Sequence, residues 1–205
     1  MPTLQGFEHV RGALDEPAQI DLLRGVQNII ARAPLYVPAM PRTGKRLSVA
    51  MTNAGPLGWV TDQAGGYRYQ PLHPETQKPW PAMLNSMLDI WWRFAPAAAP
   101  PEACLVNFYG AAARLGSHVD RDETDLETPV ISISLGDDAV FHVGGLKRSD
   151  PKTRMILCSG DVVVLGGQAR LAYHGIDRVV AGTSRLIETG GRINLTLRRV
   201  SKAAA

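Results

Sequence analysis

Residues 129–136 read PVISISLG, in which apolar and hydroxyl-bearing side chains alternate from Ile131 to Leu135. Ser132 and Ser134 share one face of an extended chain, and Ile131, Ile133 and Leu135 share the other, because successive residues of a strand point to opposite sides. The segment is bounded by Pro129 and Gly136. The pattern predicts a β-strand with one apolar face that packs against a core.

Similar segments flank this strand on both sides. They are short, apolar and separated by glycine-rich turns: CLVNFYG (104–110), AVFHVGG (139–145), MILCSGDVVVLGG (155–167) and GRINLTLRRV (191–200). Several short strands with such turns are typical of a sandwich or jelly roll. We therefore predict a mainly β protein with flanking helices, whose double-stranded β-helix (jelly-roll) core spans residues 101–200.

The chain has 205 residues, of which 45% are hydrophobic and 20% charged, and this favours one globular domain. Asp15 and Pro17 predict the start of a helix that Pro34 ends. A second helix is predicted over residues 81–94, and a linker follows it. Cys104 and Cys158 are interpreted as small core residues within strands.

The N-terminus has no apolar segment typical of a secretion signal, and no run of residues is long enough to span a membrane. We expect a soluble cytoplasmic protein that does not bind membranes, and a monomer. Its net charge of +3 permits a polyanionic partner without requiring one. The boundaries predicted from composition and turns are an N-terminal extension with a helix (1–35), a covering segment (36–82), a helix and linker (83–100), the core (101–200) and a frayed tail (201–205).

The covering segment is rich in turn residues and aromatic residues. Trp59, Tyr67, Tyr69 and Trp80 look exposed, and an aromatic-rich segment is unlike a disordered one. The segment is either a flexible insertion or a functional cover with its own packing.

Residues 115–123, LGSHVDRDE, contain a His-x-Asp spacing. In extended chain His118 and Asp120 point to the same side, so they can bind one metal ion. Among the other histidines, His174 follows a strand and precedes Gly175, where the backbone can bend toward a site. His142 is interpreted as a polar residue on the outer surface of a sheet, and His9 and His73 lack an obvious carboxylate partner.

Two histidines and one carboxylate make the facial triad of non-haem Fe(II) oxygenases, which leaves coordination positions open. The strand RINLTLR (192–198) supports this interpretation. Arg192, Asn194, Thr196 and Arg198 share one face, with the arginine Cα atoms roughly 20 Å apart. Buried arginines need anionic partners, so the pair suits a short dicarboxylate. An edge strand with its polar face in water is the alternative.

The set HVD, His174 and RINLTLR resembles the AlkB family of Fe(II)/2-oxoglutarate-dependent nucleic-acid demethylases, and the likeness is greatest to its bacterial DNA-repair branch. Further segments match in family order over roughly residues 46–198: LSVAMTNAGPLGW, HPETQKPWPAM, CLVNFYG, PVISISLG, FHVGGLKRSDP, GDVVVLGG and YHGI. Leu165 departs from the pattern, because close bacterial relatives carry a tryptophan there. The Gly65–Gly66 turn also departs from it.

The resemblance implies Fe(II) as cofactor and 2-oxoglutarate and O₂ as co-substrates. His118, Asp120 and His174 would be the iron ligands and catalytic residues. The distal carboxylate of 2-oxoglutarate would be held by Arg192, helped by Asn194 and Tyr109. The remaining residues implied to lie around the co-substrate are Asn107, Ser132 and Arg198.

The covering segment corresponds to the family's nucleotide-recognition lid. By resemblance, a flipped alkylated base would stack between Trp59 and His118, and Asp122 would hydrogen-bond its edge. The other implied substrate contacts are Tyr67, Arg68, Tyr69 and Arg148, with Arg114 near the phosphate backbone.

The implied reaction is oxidative demethylation of bases such as 1-methyladenine and 3-methylcytosine in single-stranded DNA, for direct repair of alkylation damage. It would yield succinate, CO₂ and formaldehyde. RNA is the alternative polymer. A small-molecule 2-oxoglutarate hydroxylase on the same fold is a second alternative, and a cupin-like binding module is a non-enzymatic one.

Overall fold

The computed structural model describes residues 4–202. Within them it has two α-helices, twelve strands and a 3₁₀ turn at Gly167–Leu171. The helices are α1 (Glu16–Arg32) and α2 (Asn85–Phe94). The strands are β1 (Phe7–Val10), β2 (Ala50–Ala54), β3 (Gly58–Asp62), β4 (Gly66–Gln70), β5 (Ala103–Tyr109), β6 (Leu115–His118), β7 (Val130–Gly136), β8 (Asp138–Val143), β9 (Thr153–Leu157), β10 (Val162–Leu165), β11 (His174–Val180) and β12 (Arg192–Arg198).

The strands form two main antiparallel sheets and one hairpin. The large sheet has the order β1-β10-β7-β12-β5-β2, and the small sheet has the order β6-β11-β8-β9. Strands β3 and β4 form the hairpin. This is the predicted jelly roll, and its sheets enclose a space between them. Strand β1 was not predicted, and β2 shows that residues 36–82 include an edge strand of the large sheet as well as a cover.

The two faces of the large sheet have different partners. Side chains of α1 and α2 pack with Ile131, Ile133, Ile193 and Leu195 on one face, in a core with the fully buried Trp91. The other face turns toward the small sheet. The period of two in β7 and β12 is confirmed, and β12 lies in the sheet interior, so the edge-strand alternative is wrong.

Helix α1 begins and ends where the sequence predicts. The Asp15 side chain accepts a hydrogen bond from the Ala18 amide at 3.0 Å, which satisfies one of the free N–H groups at the helix start. Helix α2 begins at Asn85, four residues after the predicted start at 81. Its N-cap residue, Leu84, makes no side-chain capping hydrogen bond. No capping signal therefore marked its first turn.

Three placements of individual side chains are wrong. Cys158 is exposed and follows the end of β9, whereas Cys104 is buried as expected. Trp80 is 6% exposed and belongs to a small buried cluster. His9 does have a carboxylate partner, since its Nε2 lies 2.8 Å from Asp161.

Of the predicted tail at 201–205, residues 203–205 lie outside the described residues. Neither α1 nor α2 is long and apolar enough to cross a membrane, and the structure has no other α-helix between residues 4 and 202.

Candidate active site

One cavity of about 600 Å³ opens between the two sheets and under the β3–β4 hairpin. This volume is ordinary for a small-ligand site. All but three of the predicted site residues line it. Those that do are Trp59, Tyr67, Asn107, Tyr109, His118, Asp120, Asp122, Ser132, Arg148, His174, Arg192, Asn194 and Arg198.

His118, Asp120 and His174 form a compact cluster in this cavity. One potential ligand atom from each lies within 4.8 Å of the other two. The His118 Nε2 atom is 3.8 Å from one Asp120 oxygen, and the His174 Nε2 atom is 3.7 Å from the other. The cluster arises because His118 and His174 are paired directly across β6 and β11.

Both imidazoles present the same nitrogen to the cluster. The Nδ1 atom of His118 lies 2.9 Å from the Gly116 carbonyl, and that of His174 lies 3.0 Å from the Ala172 carbonyl. A carbonyl only accepts, so each Nδ1 carries the proton and each Nε2 has a free lone pair. Burial and the neighbouring His118 lower the pKa of His174 to about 4, so its ring is neutral at neutral pH. Neutral imidazole is the form that binds a metal.

The surroundings of Asp120 keep its side chain ionised. Burial by itself would raise the pKa of Asp120, but the Arg198 guanidinium, 2.9 Å away, brings it well below its ordinary value. A carboxylate beside two imidazoles is the ligand set typical of non-haem Fe(II) oxygenases, with positions left for other ligands.

Behind Asp120 lies a buried ion network that the sequence did not predict. The Glu123 carboxylate lies 3.0 Å from Arg198 and 3.1 Å from Arg170. Arg170 also donates to the Asp120 carbonyl at 2.6 Å. The Tyr69 hydroxyl donates to Glu123 and accepts from Arg198. The network fixes the loop that carries Asp120 and joins it to β4.

Glu123→Ala is expected to lower the free energy of unfolding by about 3–5 kcal/mol, because it leaves Arg170 buried without an acidic partner. Urea denaturation of the metal-free protein measures the change. Glu127→Ala is the matched control: it removes an exposed acid four residues away and should stay within about 0.5 kcal/mol of wild type. Equal stabilities for the two variants would contradict this account of the network.

The far end of the cavity holds a buried cation without an acid. Arg192 is 0% exposed, and no Asp or Glu oxygen among residues 4–202 lies within 4.0 Å of its nitrogens. Its strongest contact is a 2.7 Å hydrogen bond to the Ser134 hydroxyl, and its Nε has no partner there. Burial lowers the pKa of Arg192. A buried guanidinium of this kind fits a ligand carboxylate.

Between these two ends, polar atoms line the cavity wall. Asn194 donates to the Ser132 hydroxyl at 2.7 Å, and the buried Asn107 Oδ1 lacks a hydrogen-bond partner among the described residues. The cavity therefore runs from a metal-binding cluster to an unpaired arginine, with a free polar atom on the way.

The hairpin closes the cavity with aromatic rings. Trp59 stacks on Tyr67, with ring centroids 5.7 Å apart and planes at 24°. The Trp59 indole donates to Asp122 at 2.8 Å. Asp122 thus anchors the hairpin to the loop after His118, a contact the sequence did not predict.

Three predicted substrate contacts lie outside the cavity. Arg68 is on the opposite face of β4 from Tyr67, because successive residues of a strand point to opposite sides, and it pairs with Asp62 at 2.8 Å. Tyr69 does not line the cavity, since its hydroxyl is engaged by Glu123 and Arg198. Arg114 also lies outside the cavity.

Comparison with known proteins agrees with this geometry. The family model of the 2OG-Fe(II) oxygenase superfamily matches residues 6–198. The alpha-ketoglutarate-dependent dioxygenase AlkB homolog of Caulobacter vibrioides is 49% identical over 203 residues, covering 99% of this chain and 91% of the relative. The alpha-ketoglutarate-dependent dioxygenase AlkB of Escherichia coli strain K12 is 46% identical over 185 residues, covering 88% and 84%.

The chain belongs to the AlkB family of 2OG-Fe(II) oxygenases. A solved structure described as that of OsALKBH1 also superimposes on it, with a TM-score of 0.81 and 30% identity, over 97% of this chain and 100% of that one. The predicted family and fold are confirmed. Like its AlkB relatives, the chain is an Fe(II)- and 2-oxoglutarate-dependent dioxygenase, with O₂ as the second co-substrate. The His118–Asp120–His174 cluster suits Fe(II), and the buried Arg192 guanidinium, which has no acidic partner among the described residues, suits a carboxylate of 2-oxoglutarate.

Proposed function

We propose that this AlkB-family enzyme oxidatively demethylates N-alkylated bases of the 1-methyladenine and 3-methylcytosine type in single-stranded DNA. The observation that carries the proposal is the meeting, in one cavity, of the His118–Asp120–His174 cluster and the Trp59–Tyr67 aromatic pair. The first supplies a metal site, and the second supplies a surface on which a base can stack.

In this proposal His118 Nε2, the Asp120 carboxylate and His174 Nε2 hold Fe(II). The fixed Nδ1 hydrogen bonds of both imidazoles keep these atoms pointed at the metal. Bound iron supplies the activation of O₂ that couples decarboxylation of 2-oxoglutarate to hydroxylation of a C–H bond. The hydroxylated N-methyl group then leaves as formaldehyde, and succinate and CO₂ are the other products.

Arg192 and Arg198 have different roles at the two ends of the 2-oxoglutarate site. Arg192 takes the distal carboxylate, because it is a buried guanidinium without an acid of its own. Tyr109, its neighbour across β5 and β12, lines the same end of the cavity. Arg198 already pairs with Asp120 and Glu123, so its role is to hold the metal-binding end rigid.

The alkylated base enters from the hairpin side. Its alkyl carbon must reach the metal cluster, so the base has to leave the stack of its strand. Tyr67 covers one face of the Trp59 indole, which leaves the opposite face for stacking against the base. His118 lines the same cavity and would cover the other side of the base. Asp122 holds the indole by its edge and lies where it can also accept a hydrogen bond from an amino group of the base.

The nucleic-acid backbone runs past the cavity mouth. Arg121 and Arg148 are exposed and line the cavity, so they can contact phosphates without a desolvation cost. Arg148 is itself positioned, because its guanidinium lies 5.8 Å from the centre of the Tyr173 ring and donates to the Ser117 carbonyl. Few cations are involved, so we propose a footprint of a few nucleotides.

The deciding experiment is release of formaldehyde from a single strand that carries one 3-methylcytosine, in the presence of Fe(II), 2-oxoglutarate and ascorbate. An unmethylated strand, a methylated RNA strand and free 3-methylcytidine are assayed beside it. Release that is fastest from the methylated DNA strand supports the proposal. No release from any strand, with an active control enzyme in the same buffer, excludes demethylation, and preference for the free nucleoside would indicate a small-molecule hydroxylase.

Trp59→Ala is expected to lower kcat/KM for the methylated strand by roughly 5- to 150-fold, since stacking of one base on an aromatic ring is worth about 1–3 kcal/mol. Slow turnover of 2-oxoglutarate without nucleic acid should stay unchanged, because the cluster and Arg192 are untouched. Trp92→Ala is the control, as Trp92 is 40% exposed on α2 and lies away from the cavity. A Trp59→Ala enzyme with unchanged kcat/KM would show that the base does not stack there.

A further inference from the structure

Three polar side chains form a chain of hydrogen bonds across the small sheet. His142 Nδ1 lies 2.8 Å from an Asp177 oxygen, and His142 Nε2 lies 3.1 Å from the Ser117 hydroxyl. His142 is on the outward face of β8, as the sequence predicts, but it is 3% exposed and not at the surface. Its two ring nitrogens connect β6, β8 and β11.

Both partners of His142 sit at irregularities in the strand pairing. Between β6 and β11 the register shifts at Gly175, where Gly116 and Ser117 occupy the space of one residue. Between β8 and β11 the register shifts again at Asp177, which has no partner on β8. At a bulge the ladder of backbone hydrogen bonds is interrupted, so a side-chain contact has to fix the local conformation.

The first bulge lies directly beside the metal cluster. Strand β6 has only four residues, lies at the edge of the small sheet and ends at His118. Two paired positions hold it to β11, namely His174↔His118 and Ile176↔Leu115. The position of the His118 ring therefore depends on how the backbone of Gly116 and Ser117 is held.

The space around Gly175 is filled by the His142 ring and the bulged backbone of β6. A Cβ at Gly175 would lie 2.5 Å from the Leu115 carbonyl oxygen, 2.9 Å from that of Gly116 and 2.9 Å from His142 Cε1. Only glycine leaves room for both the bulged backbone of β6 and the imidazole. The ring thus packs against the bulge as well as hydrogen-bonding to Ser117.

The hydrogen bonds have one consistent direction. The Asp177 carboxylate can only accept hydrogen bonds, so His142 Nδ1 carries a hydrogen and donates the hydrogen bond to Asp177. The other nitrogen of the neutral ring accepts from the Ser117 hydroxyl. Asp177 is held in turn by Arg154, whose Nε lies 2.8 Å from its second oxygen.

We propose that Ser117, His142 and Asp177 are positioning residues that hold the β6 bulge, and through it His118, in the geometry that binds iron. The inference rests on the proposed role of His118 as an iron ligand. None of the three side chains is a member of the His118–Asp120–His174 cluster, so we expect them to change the affinity for the metal and the coupling of oxidation to substrate.

Ser117→Ala and His142→Ala are expected to weaken the binding of Co(II) alone by about tenfold, which is the usual effect of losing a side chain that supports a metal ligand. His142→Gln should recover most of the wild-type affinity, since its amide reaches the position of Nε2 and can bond Ser117. His142→Asn should behave like Ser117→Ala, because the shorter amide reaches only the position of Nδ1. The measurement is Co(II) titration of the metal-free proteins, followed by absorption of the bound cobalt.

Ser117→Ala also tests whether weaker Co(II) binding could result merely from misfolding, because it removes one hydroxyl and leaves the imidazole of His142 in place. Its thermal midpoint without metal should stay near that of wild type. Arg154→Ala is the control for surface charge and should bind Co(II) normally, since Arg154 is 63% exposed and His142 keeps Asp177.

Co(II) binding by Ser117→Ala and His142→Ala equal to wild type would overturn the inference. So would a loss of affinity that His142→Gln does not restore while its thermal midpoint stays near that of wild type. His118→Ala tests the ligand assignment independently of the three positioning residues. If wild type and His118→Ala bind Co(II) with equal affinity, His118 is not a metal ligand.

Discussion

His118→Ala and Asp120→Ala are both expected to reduce formaldehyde release to the level of a reaction without enzyme. Each removes one of three proposed metal ligands, and two ligands are too few to hold Fe(II) at the assay concentration. Loss of a side chain that merely supports a ligand already costs about 10- to 100-fold, so loss of the ligand itself should exceed that. Formaldehyde release and Co(II) binding by the same preparations measure the effect.

The two variants should differ in stability although they share the loss of activity. His118 makes one side-chain hydrogen bond, to the Gly116 carbonyl, so its removal should change the unfolding free energy little. Asp120 pairs with the buried Arg198 at 2.9 Å, and its removal leaves Glu123 as the sole acid beside that arginine. The cost is up to about 3–5 kcal/mol. Urea denaturation without metal separates the two, and retained turnover in either variant would disprove the ligand set.

The strands and the proximity of His118 to Asp120 could be predicted because their signals are local. A period of two along β12 determines which residues share a face, whatever the rest of the chain does. The structure places Arg192 and Arg198 on the inner face and Ile193 on the outer one accordingly. The His118–Asp120 spacing acts over two residues in the same way.

The start of α2 could not be predicted because a contact between distant residues determines it. Leu84 lies so close to α1 that a Cβ at Gly25 would be 2.3 Å from its side chain. Leu84 packs against α1 with the extended backbone of an N-cap residue. Helix α1, in contrast, has its capping signal at Asp15 in the sequence itself.

The polar networks behind the site escaped prediction for the same reason. Arg170 meets Glu123 across 47 residues, and His142 meets Asp177 across 35. Neither pair has a spacing motif, since only the folded sheets bring its members together. What did carry a signal was charge on a strand with an apolar opposite face, as in β12, because such charges must find partners inside the protein.

Arg192→Met is expected to weaken 2-oxoglutarate binding by roughly 30- to 5,000-fold, since removing one partner of a buried charge pair costs about 2–5 kcal/mol. The metal cluster is untouched, so Co(II) should bind normally. The 2-oxoglutarate affinity of Arg192→Lys should lie between those of wild type and Arg192→Met. Lysine keeps the positive charge but loses the planar pair of N–H donors that matches a carboxylate. Isothermal titration of the Co(II)-loaded protein with 2-oxoglutarate gives the affinities.

Arg192→Met and Arg198→Met are expected to affect the stability of the metal-free protein differently. In the absence of 2-oxoglutarate, Arg192 is a buried cation without an acidic partner among the described residues, which is an unfavourable state for the folded protein. Arg192→Met relieves it, so the metal-free variant should be at least as stable as wild type. Arg198→Met should be clearly less stable, because it leaves Asp120 and Glu123 without their shared arginine.

These opposite stability changes in one strand separate a ligand-binding arginine from a structural one. Arg24→Met, an exposed position on α1, is the control and should change neither 2-oxoglutarate affinity nor stability. If Arg192→Met unfolds as easily as Arg198→Met, then Arg192 is held by the protein and not kept for a ligand. If it binds 2-oxoglutarate as wild type does, the distal carboxylate lies elsewhere in the cavity, and the arrangement proposed for the co-substrate along β12 is wrong.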